Sequence, residues 1–198
     1  MAGSPGCQHL THHRRENAML QRLLTQDARL TDRLRLNPAG SAWWSLSVIL
    51  AHSGDSWLCM IALVTLWLTT GGAWHRTAAL MAIAVVLQAL VIFAVKQAIR
   101  RERPRGEWGG IYRSIDPHSF PSGHATRAVL LAVVAVGLGP AWFGLLLAIW
   151  APLVCVARVA TGVHFLSDVV VGAVIGALMG LLVLALQNPI MALLPVLF

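Results

Sequence analysis

From Ala128 to Ala157 the chain reads AVLLAVVAVGLGPAWFGLLLAIWAPLVCVA, without one charged side chain. About 20 apolar residues, rising about 1.5 Å each, cross a hydrocarbon core about 30 Å thick, so this run is too long for one simple crossing. Gly137-Leu138-Gly139-Pro140 interrupts it midway. Proline cannot supply the amide a helix interior needs, and glycine beside it marks a turn. The run therefore reads as two helices, 122–138 and 141–158. Working outward, similar apolar runs predict a helix at 57–73, another at 77–96 after the turn Trp74-His75-Arg76, and a last one at 165–186. In that last helix Gly172, Gly176 and Gly180 recur every fourth residue, a spacing that lets helix backbones approach. Residues 41–52, with Trp43 and Trp44, are too short to cross and suit the headgroup level. Ser53-Gly54-Asp55-Ser56 reads as the cap of the helix that follows, and 190–198 as a short apolar tail. The predicted fold is all-α: a polytopic membrane helix bundle of about five transmembrane helices.

Composition agrees. Of 198 residues, 57% are hydrophobic and 12% charged, against about 25% charged in soluble domains. The formal net charge of +7 comes from arginine, Lys96 being the one lysine. In a soluble chain that excess would point to nucleic acid. Here the arginines flank apolar runs, which points to lipid headgroups or a phosphate ligand and away from nucleic acid. Cys7, Cys59 and Cys155 have no metal-binding or redox spacing, and the latter two read as packing residues. Residues 1–17 lack the apolar core of a signal peptide and, with His9, His12, His13, Arg14 and Arg15, read as a disordered start. Residues 18–35 place Leu20, Leu23, Leu24, Ala28 and Leu34 on one face and Arg22, Asp27, Arg29, Asp32 and Arg33 on the other. That pattern suits an amphipathic helix in the membrane interface; packing against a partner is the alternative. The division expected is 1–40, a polar N-terminus with an interfacial helix, and 41–198, the membrane core.

The polar residues inside the core fall into three blocks. Lys96 is followed after six residues by Arg103-Pro104, then come Ser119-Phe120-Pro121-Ser122-Gly123-His124, and then Arg158, five residues, His164, three residues, Asp168. Antiparallel helices with short turns bring all three to one face of the membrane, because Lys96 and Arg158 end helices while Ser122, His124, His164 and Asp168 start them. Charged groups at that depth are costly and usually functional. Lys96, Arg103 and Arg158 offer a point charge and two planar donors to a dianionic phosphate. Ser122 and Gly123 at a helix start add a hydroxyl and backbone N–H groups. His164 and Asp168, four apart, share a helix face, where a carboxylate fixes the imidazole tautomer and sharpens the other nitrogen as a nucleophile. His124 then protonates the leaving oxygen. Together these make the parts of phosphoryl transfer through a phosphohistidine.

The same three blocks resemble the signature motifs of the type 2 phosphatidic acid phosphatase (PAP2) superfamily, over roughly residues 50–186. The resemblance implies a helical membrane fold and removal of phosphate from lipid phosphates or diphosphates, with no metal and no other cofactor. It implies the roles just given: catalytic His164, Asp168 and His124, with Lys96, Arg103, Ser122, Gly123 and Arg158 binding phosphate. One departure is Ala157, where the family usually carries serine before the arginine; weaker binding or altered preference is expected. Arg100-Arg101 and Ser119 through Ala128, SFPSGHATRA, further resemble the polyisoprenoid diphosphate phosphatase branch. There Arg100, Arg101 and Arg127 meet a second phosphate or headgroup, or else serve as interface anchors. A phosphatidate or phosphatidylglycerophosphate phosphatase is the alternative enzyme, and a lipid-binding scaffold with a dead site the alternative class. The expected partner is a lipid phosphate within the bilayer. His52, His75 and His118 read as structural, and Trp108 and Tyr112 as interfacial anchors. Arginine is concentrated on the site side, so the cell-membrane protein is expected to hold its active site and N-terminus in the cytoplasm; related bacterial enzymes with the site on the outer face supply the opposite expectation.

Overall fold

The computed structural model describes residues 5–37, 41–104 and 116–198, with the backbone alone for 5–18 and for 20. Among the described residues seven helices follow in order: α1 (Pro5–Leu34), α2 (Ala42–Ser53), α3 (Ser56–Thr69), α4 (Gly72–Ile99), α5 (Gly123–Leu138), α6 (Ala141–Ala160) and α7 (Leu166–Leu193), with a 3-10 turn at Pro195–Leu197. Among the described residues there is no strand, only an isolated bridge between Glu102 and His118. The predicted break falls where expected. α5 stops at Leu138, Gly139 caps it, and Pro140 opens α6.

The five predicted crossings meet the test of length and apolarity to different degrees among the described residues. Three helices, α4, α6 and α7, are long and apolar enough to cross a membrane. α2 and α3 meet that test only together, and they bend by 57° at the break between them. α5 is apolar but shorter, with 16 residues. The helix expected at 57–73 ends early, at Thr69, because Gly71 and Gly72 follow; Gly72 sits at φ 60°, a conformation glycine adopts freely. The tail expected at 190–198 is not separate. Gln187 and Asn188 end the apolar run but not α7, which continues through Pro189 to Leu193.

α5 and α7 form the most extensive helix pair. The glycine stripe explains it: a Cβ at Gly172 would lie 2.6 Å from the Ser122 carbonyl oxygen, and one at Gly176 only 2.2 Å from that of Thr126. Leu63, Leu80, Met81, Val85, Leu130, Val134 and Val183 fill the core between α3, α4, α5 and α7. Outward, Trp57, Ile61, Leu90, Phe93, Leu145, Ile149, Leu178 and Leu182 stay exposed. An apolar surface of that extent belongs against lipid, and the fold is a helical membrane bundle.

The N-terminal expectation needs correction. A disordered start was predicted for 1–17, whereas the helical backbone of α1 begins at Pro5. The side chains of Cys7, His9, His12, His13, Arg14, Arg15 and Leu20 lie outside the described residues, as do Arg105, Trp108, Tyr112 and Arg113. α1 meets the bundle through polar groups. Thr31 is 1% exposed and its hydroxyl accepts from Leu166 N at 3.0 Å, while Asp27 accepts from Ser167 N at 3.0 Å. Met19, Leu23, Leu30 and Leu34 face outward.

Candidate active site

Four chain segments meet at one end of the bundle. α4 delivers Lys96 in its last turn and closes on Arg100, whose left-handed φ of 50° turns the chain into the Arg101–Pro104 segment. Ser122 caps α5 and accepts from Ala125 N, so the backbone amides of that first turn and His124 point to the same end. Arg158 sits in the last turn of α6, and His164 lies in the short loop before α7. The Ser122 amide donates to the Asp168 carbonyl at 2.9 Å, which locks the start of α5 to the first turn of α7. Ser122, Arg158 and Asp168 are fully buried, His164 is 1% exposed and Lys96 7%.

A cavity of about 280 Å³ opens beside them, lined by Lys96 and His164 but not by Ser122, Arg158 or Asp168. Lys96, Arg103, Gly123, His124 and His164 line its polar side, and Ala89, Ile92 and Phe93 of α4 its apolar side. Arg103 Nη1 stands 3.2 Å from His164 Nε2. Arginine only donates, so Nε2 carries the lone pair and Nδ1 the proton. That proton faces Asp168 Oδ2 at 3.6 Å, longer than a hydrogen bond. Asp168 is itself fixed by the Phe165 amide at 2.9 Å and by Arg101 Nη1 at 2.7 Å. Burial, then the charges of Arg158, Arg103 and Lys96, hold the His164 imidazole well below its ordinary pKa. The site therefore presents a neutral imidazole with its lone-pair nitrogen beside an arginine.

Two carboxylates at this site were not read from the sequence as functional. Asp116 bridges the cations: its Oδ2 accepts from Arg103 Nη2 at 2.9 Å and from Lys96 Nζ, and its backbone carbonyl accepts from Arg103 Nε at 2.8 Å. The carboxylate is thus an anion held by both cations. Asp55 was expected to cap α3. It stands at that N-cap, yet makes no side-chain cap bond; it contacts His124 Nε2 at 2.6 Å and His52 Nδ1 at 3.0 Å instead. No local signal separates such an aspartate from an ordinary cap, because both histidine contacts depend on tertiary placement.

The three arginines expected to meet a second phosphate or to anchor the interface each hydrogen-bond within the protein. Arg101 donates to Asp168, Ser167 and Asp27 and lies 4.1 Å from the Phe165 ring centroid. It ties α1 to α7, and its charge, with the Ser167 bonds, outweighs the burial of Asp27 and holds that carboxyl below its usual range. Arg127 borders the cavity, but its guanidinium donates to the Gly54 carbonyl at 2.6 Å and to the Ser56 hydroxyl, anchoring the α2–α3 turn. Arg100 is exposed and donates to the Gln97 carbonyl of its own helix. Ala157 is buried one residue before Arg158, and its carbonyl accepts from the Thr161 hydroxyl at 2.7 Å. Among the described residues, no three His, Cys, Asp or Glu side chains are grouped as metal ligands would be.

Comparison with known proteins identifies relatives of the sequence and of the fold. Decaprenylphosphoryl-5-phosphoribose phosphatase from two strains of Mycobacterium tuberculosis, CDC 1551 / Oshkosh and H37Rv, is 36% identical over 106 residues, which cover 50% of this chain and 55% of theirs. The chain thus spans about half the length of the curated relatives it matches. The crystal structure of Aquifex aeolicus LpxE superposes with a TM-score of 0.64 at 23% identity, over 79% of this chain and 93% of that one. The transmembrane PAP2 type phosphatidylglycerolphosphate phosphatase from Bacillus subtilis gives 0.67 at 23% identity, over 85% and 87%. Both are likenesses of fold. The PAP2 superfamily model matches residues 76–191, from the first turns of α4 to the end of α7. That range holds all three sequence blocks, Lys96 to Pro104, Ser119 to His124 and Arg158 to Asp168, and the chain belongs to the PAP2 superfamily.

Proposed function

We propose that this chain is a membrane lipid phosphatase that releases phosphate from a polyisoprenoid-linked phosphate monoester through a phosphohistidine. The observation that carries the reading is the cavity itself, where His164, His124, Lys96 and Arg103 converge beside the apolar wall of Ala89, Ile92 and Phe93. Phe93 is 63% exposed, so that wall continues to the lipid-facing surface of α4 and gives an isoprenoid tail a lateral way in. The phosphate displaces the Asp116 carboxylate from Lys96 and Arg103. His164 Nε2 then forms a bond to phosphorus as the bond to the lipid oxygen breaks, and His124 gives that oxygen its proton. Water next attacks phosphorus, His124 takes a proton from it, and the nitrogen–phosphorus bond breaks to free inorganic phosphate. Lys96, Arg103 and Arg158 balance the charge on the transferring group.

A monoester is preferred over a diphosphate because Arg101 and Arg127 are already held by Asp27, Asp168, Gly54 and Ser56. The name of the mycobacterial relative, a decaprenylphosphoryl-5-phosphoribose phosphatase, supports the polyisoprenoid class. The test is phosphate release by purified full-length protein in detergent with excess EDTA, on farnesyl monophosphate, farnesyl diphosphate and phosphatidate in parallel. The monophosphate is expected to be hydrolysed fastest, with His164→Ala lowering release at least ~1000-fold, in line with removal of a nucleophile. Faster release from phosphatidate overturns the substrate class but keeps the chemistry. A requirement for added divalent metal overturns the mechanism.

A further inference from the structure

Asp55 lies outside all three sequence blocks, yet it makes a 2.6 Å contact with the imidazole of His124. An aspartate at a helix N-cap ordinarily spends its carboxylate on the helix amides. This one does not; its two oxygens go to two histidines, Oδ1 to His124 Nε2 and Oδ2 to His52 Nδ1. The turn that carries it is pinned from two other helices. Arg127 of α5 donates to the Gly54 carbonyl, and Trp150 Nε1 of α6 donates to the Ser53 hydroxyl at 2.9 Å. There is little room for the turn to shift, since a Cβ at Gly54 would lie 3.1 Å from Val154 and 3.4 Å from His124 Cδ2. The 57° bend between α2 and α3 thus delivers a carboxylate to the ring edge of His124 and fixes it there.

Resting on the phosphatase reading above, we propose that Asp55 is the positioning residue of the acid half of the site. Its carboxylate keeps a proton on His124 Nε2, so that Nδ1 is the nitrogen that exchanges a proton with the leaving oxygen. The same negative charge supports the imidazolium that must form before each proton is given up. His52 holds the second carboxylate oxygen and so fixes the carboxylate's rotation. The arrangement parallels His164 and Asp168 on the nucleophile side: each histidine has its own carboxylate, one within a sequence motif and one from a separate helix pair.

A defect in proton donation is distinguished from general damage by the leaving group. An alkyl oxygen needs a proton to depart, whereas p-nitrophenolate does not. Asp55→Asn in the full-length protein is expected to lower kcat/KM for farnesyl monophosphate ~100-fold, within the usual range for a general acid. For p-nitrophenyl phosphate it is expected to change less than ~3-fold. In a His124→Ala background, Asp55→Asn is expected to add no further loss on the alkyl substrate. Equal losses on both substrates, or no loss on either, overturn the proposal. Should the variant fold poorly, ¹⁵N-histidine NMR of the wild type decides: a neutral His124 protonated at Nε2 supports the assignment, and one protonated at Nδ1 overturns it. A wild type inactive on both substrates would count against the phosphatase reading alone, and the NMR result would still judge Asp55.

Discussion

Burial holds the His164 imidazole below its ordinary range, and Arg158, Arg103 and Lys96 push in the same direction. The folded state refuses a proton that the unfolded chain accepts as pH falls below about 6.5. Stability contributed by neutral His164 is therefore present above that value and is lost as pH falls through and beneath it. His164 behaves oppositely to a free imidazole, staying unprotonated where the free group would be charged. At about pH 5.5, ¹⁵N-histidine NMR should find His164 neutral; a midpoint near 6.5 for His164 would sink the assignment. The nearness of His164 and Asp168 was legible from their four-residue spacing, but not its form: His164 sits in the loop before α7 and not on the helix, and its Nδ1 stands 3.6 Å from Asp168 Oδ2, longer than a hydrogen bond. Arg101 was not legible. It sits beside the first motif and invited a phosphate role, but Asp27, 74 residues before it, claims its guanidinium. Asp55 was hidden for the same reason, since its partner His124 is 69 residues away and its local setting reads as a cap.

Among the helices, the pair that matters most for aiming the site is α5 against α7. Its closeness was readable from Gly172, Gly176 and Gly180, although the partner helix was not, since a glycine stripe gives no address. The contact is backbone on backbone. At Gly176 a Cβ would lie 2.2 Å from the Thr126 carbonyl oxygen and 3.0 Å from its carbon, so nothing flexible can move aside. Gly176→Ala must push the helices apart and is expected to cost at least about 1–3 kcal/mol, the range for overpacking. Gly71→Ala is the control, since a Cβ there meets nothing within 4 Å and its φ of −129° suits any residue. Thermal melting in detergent should separate the two, with Gly176→Ala clearly lowered and Gly71→Ala near wild type; equal melting would mean that the stripe does not set the packing. The break within the α2–α3 pair was less legible. Hydropathy alone carried the predicted span through Gly71 and Gly72 and treated 41–52 as a separate surface piece, because a sharp bend between two short apolar helices has no periodic signature.

Over the whole molecule, charge is divided between two ends. The C-terminal part of α1 is held at the site end, by Asp27 and Thr31 to the start of α7 and by the Leu36 amide that follows it to the Ala160 carbonyl at 2.9 Å. The chain from residue 1 to 35 contributes Arg14, Arg15, Arg22, Arg29, Arg33 and Arg35, and Arg100 and Arg101 follow α4 at the same end. At the far end Arg76 stands beside Gln187 and Asn188, and the Trp67 indole donates to the Leu197 carbonyl at 2.9 Å. The outward Leu23, Leu30 and Leu34 of α1 suit a helix lying in the interface at the site end, with its arginines at the headgroups. Arginine excess marks the cytoplasmic side of a membrane protein. Arginines that hold phosphate or structural carboxylates bias such a count, but the six in the first 35 residues are outside the motifs. The orientation we propose therefore keeps α1 and the cavity in the cytoplasm and puts Phe198 with the far end of the bundle. Paired reporters at Phe198 should read phosphatase-positive in a periplasmic reporter and dark in a cytoplasmic one. The reverse pattern would move the cavity to the outer face, and its substrate would then be a lipid phosphate of the outer leaflet.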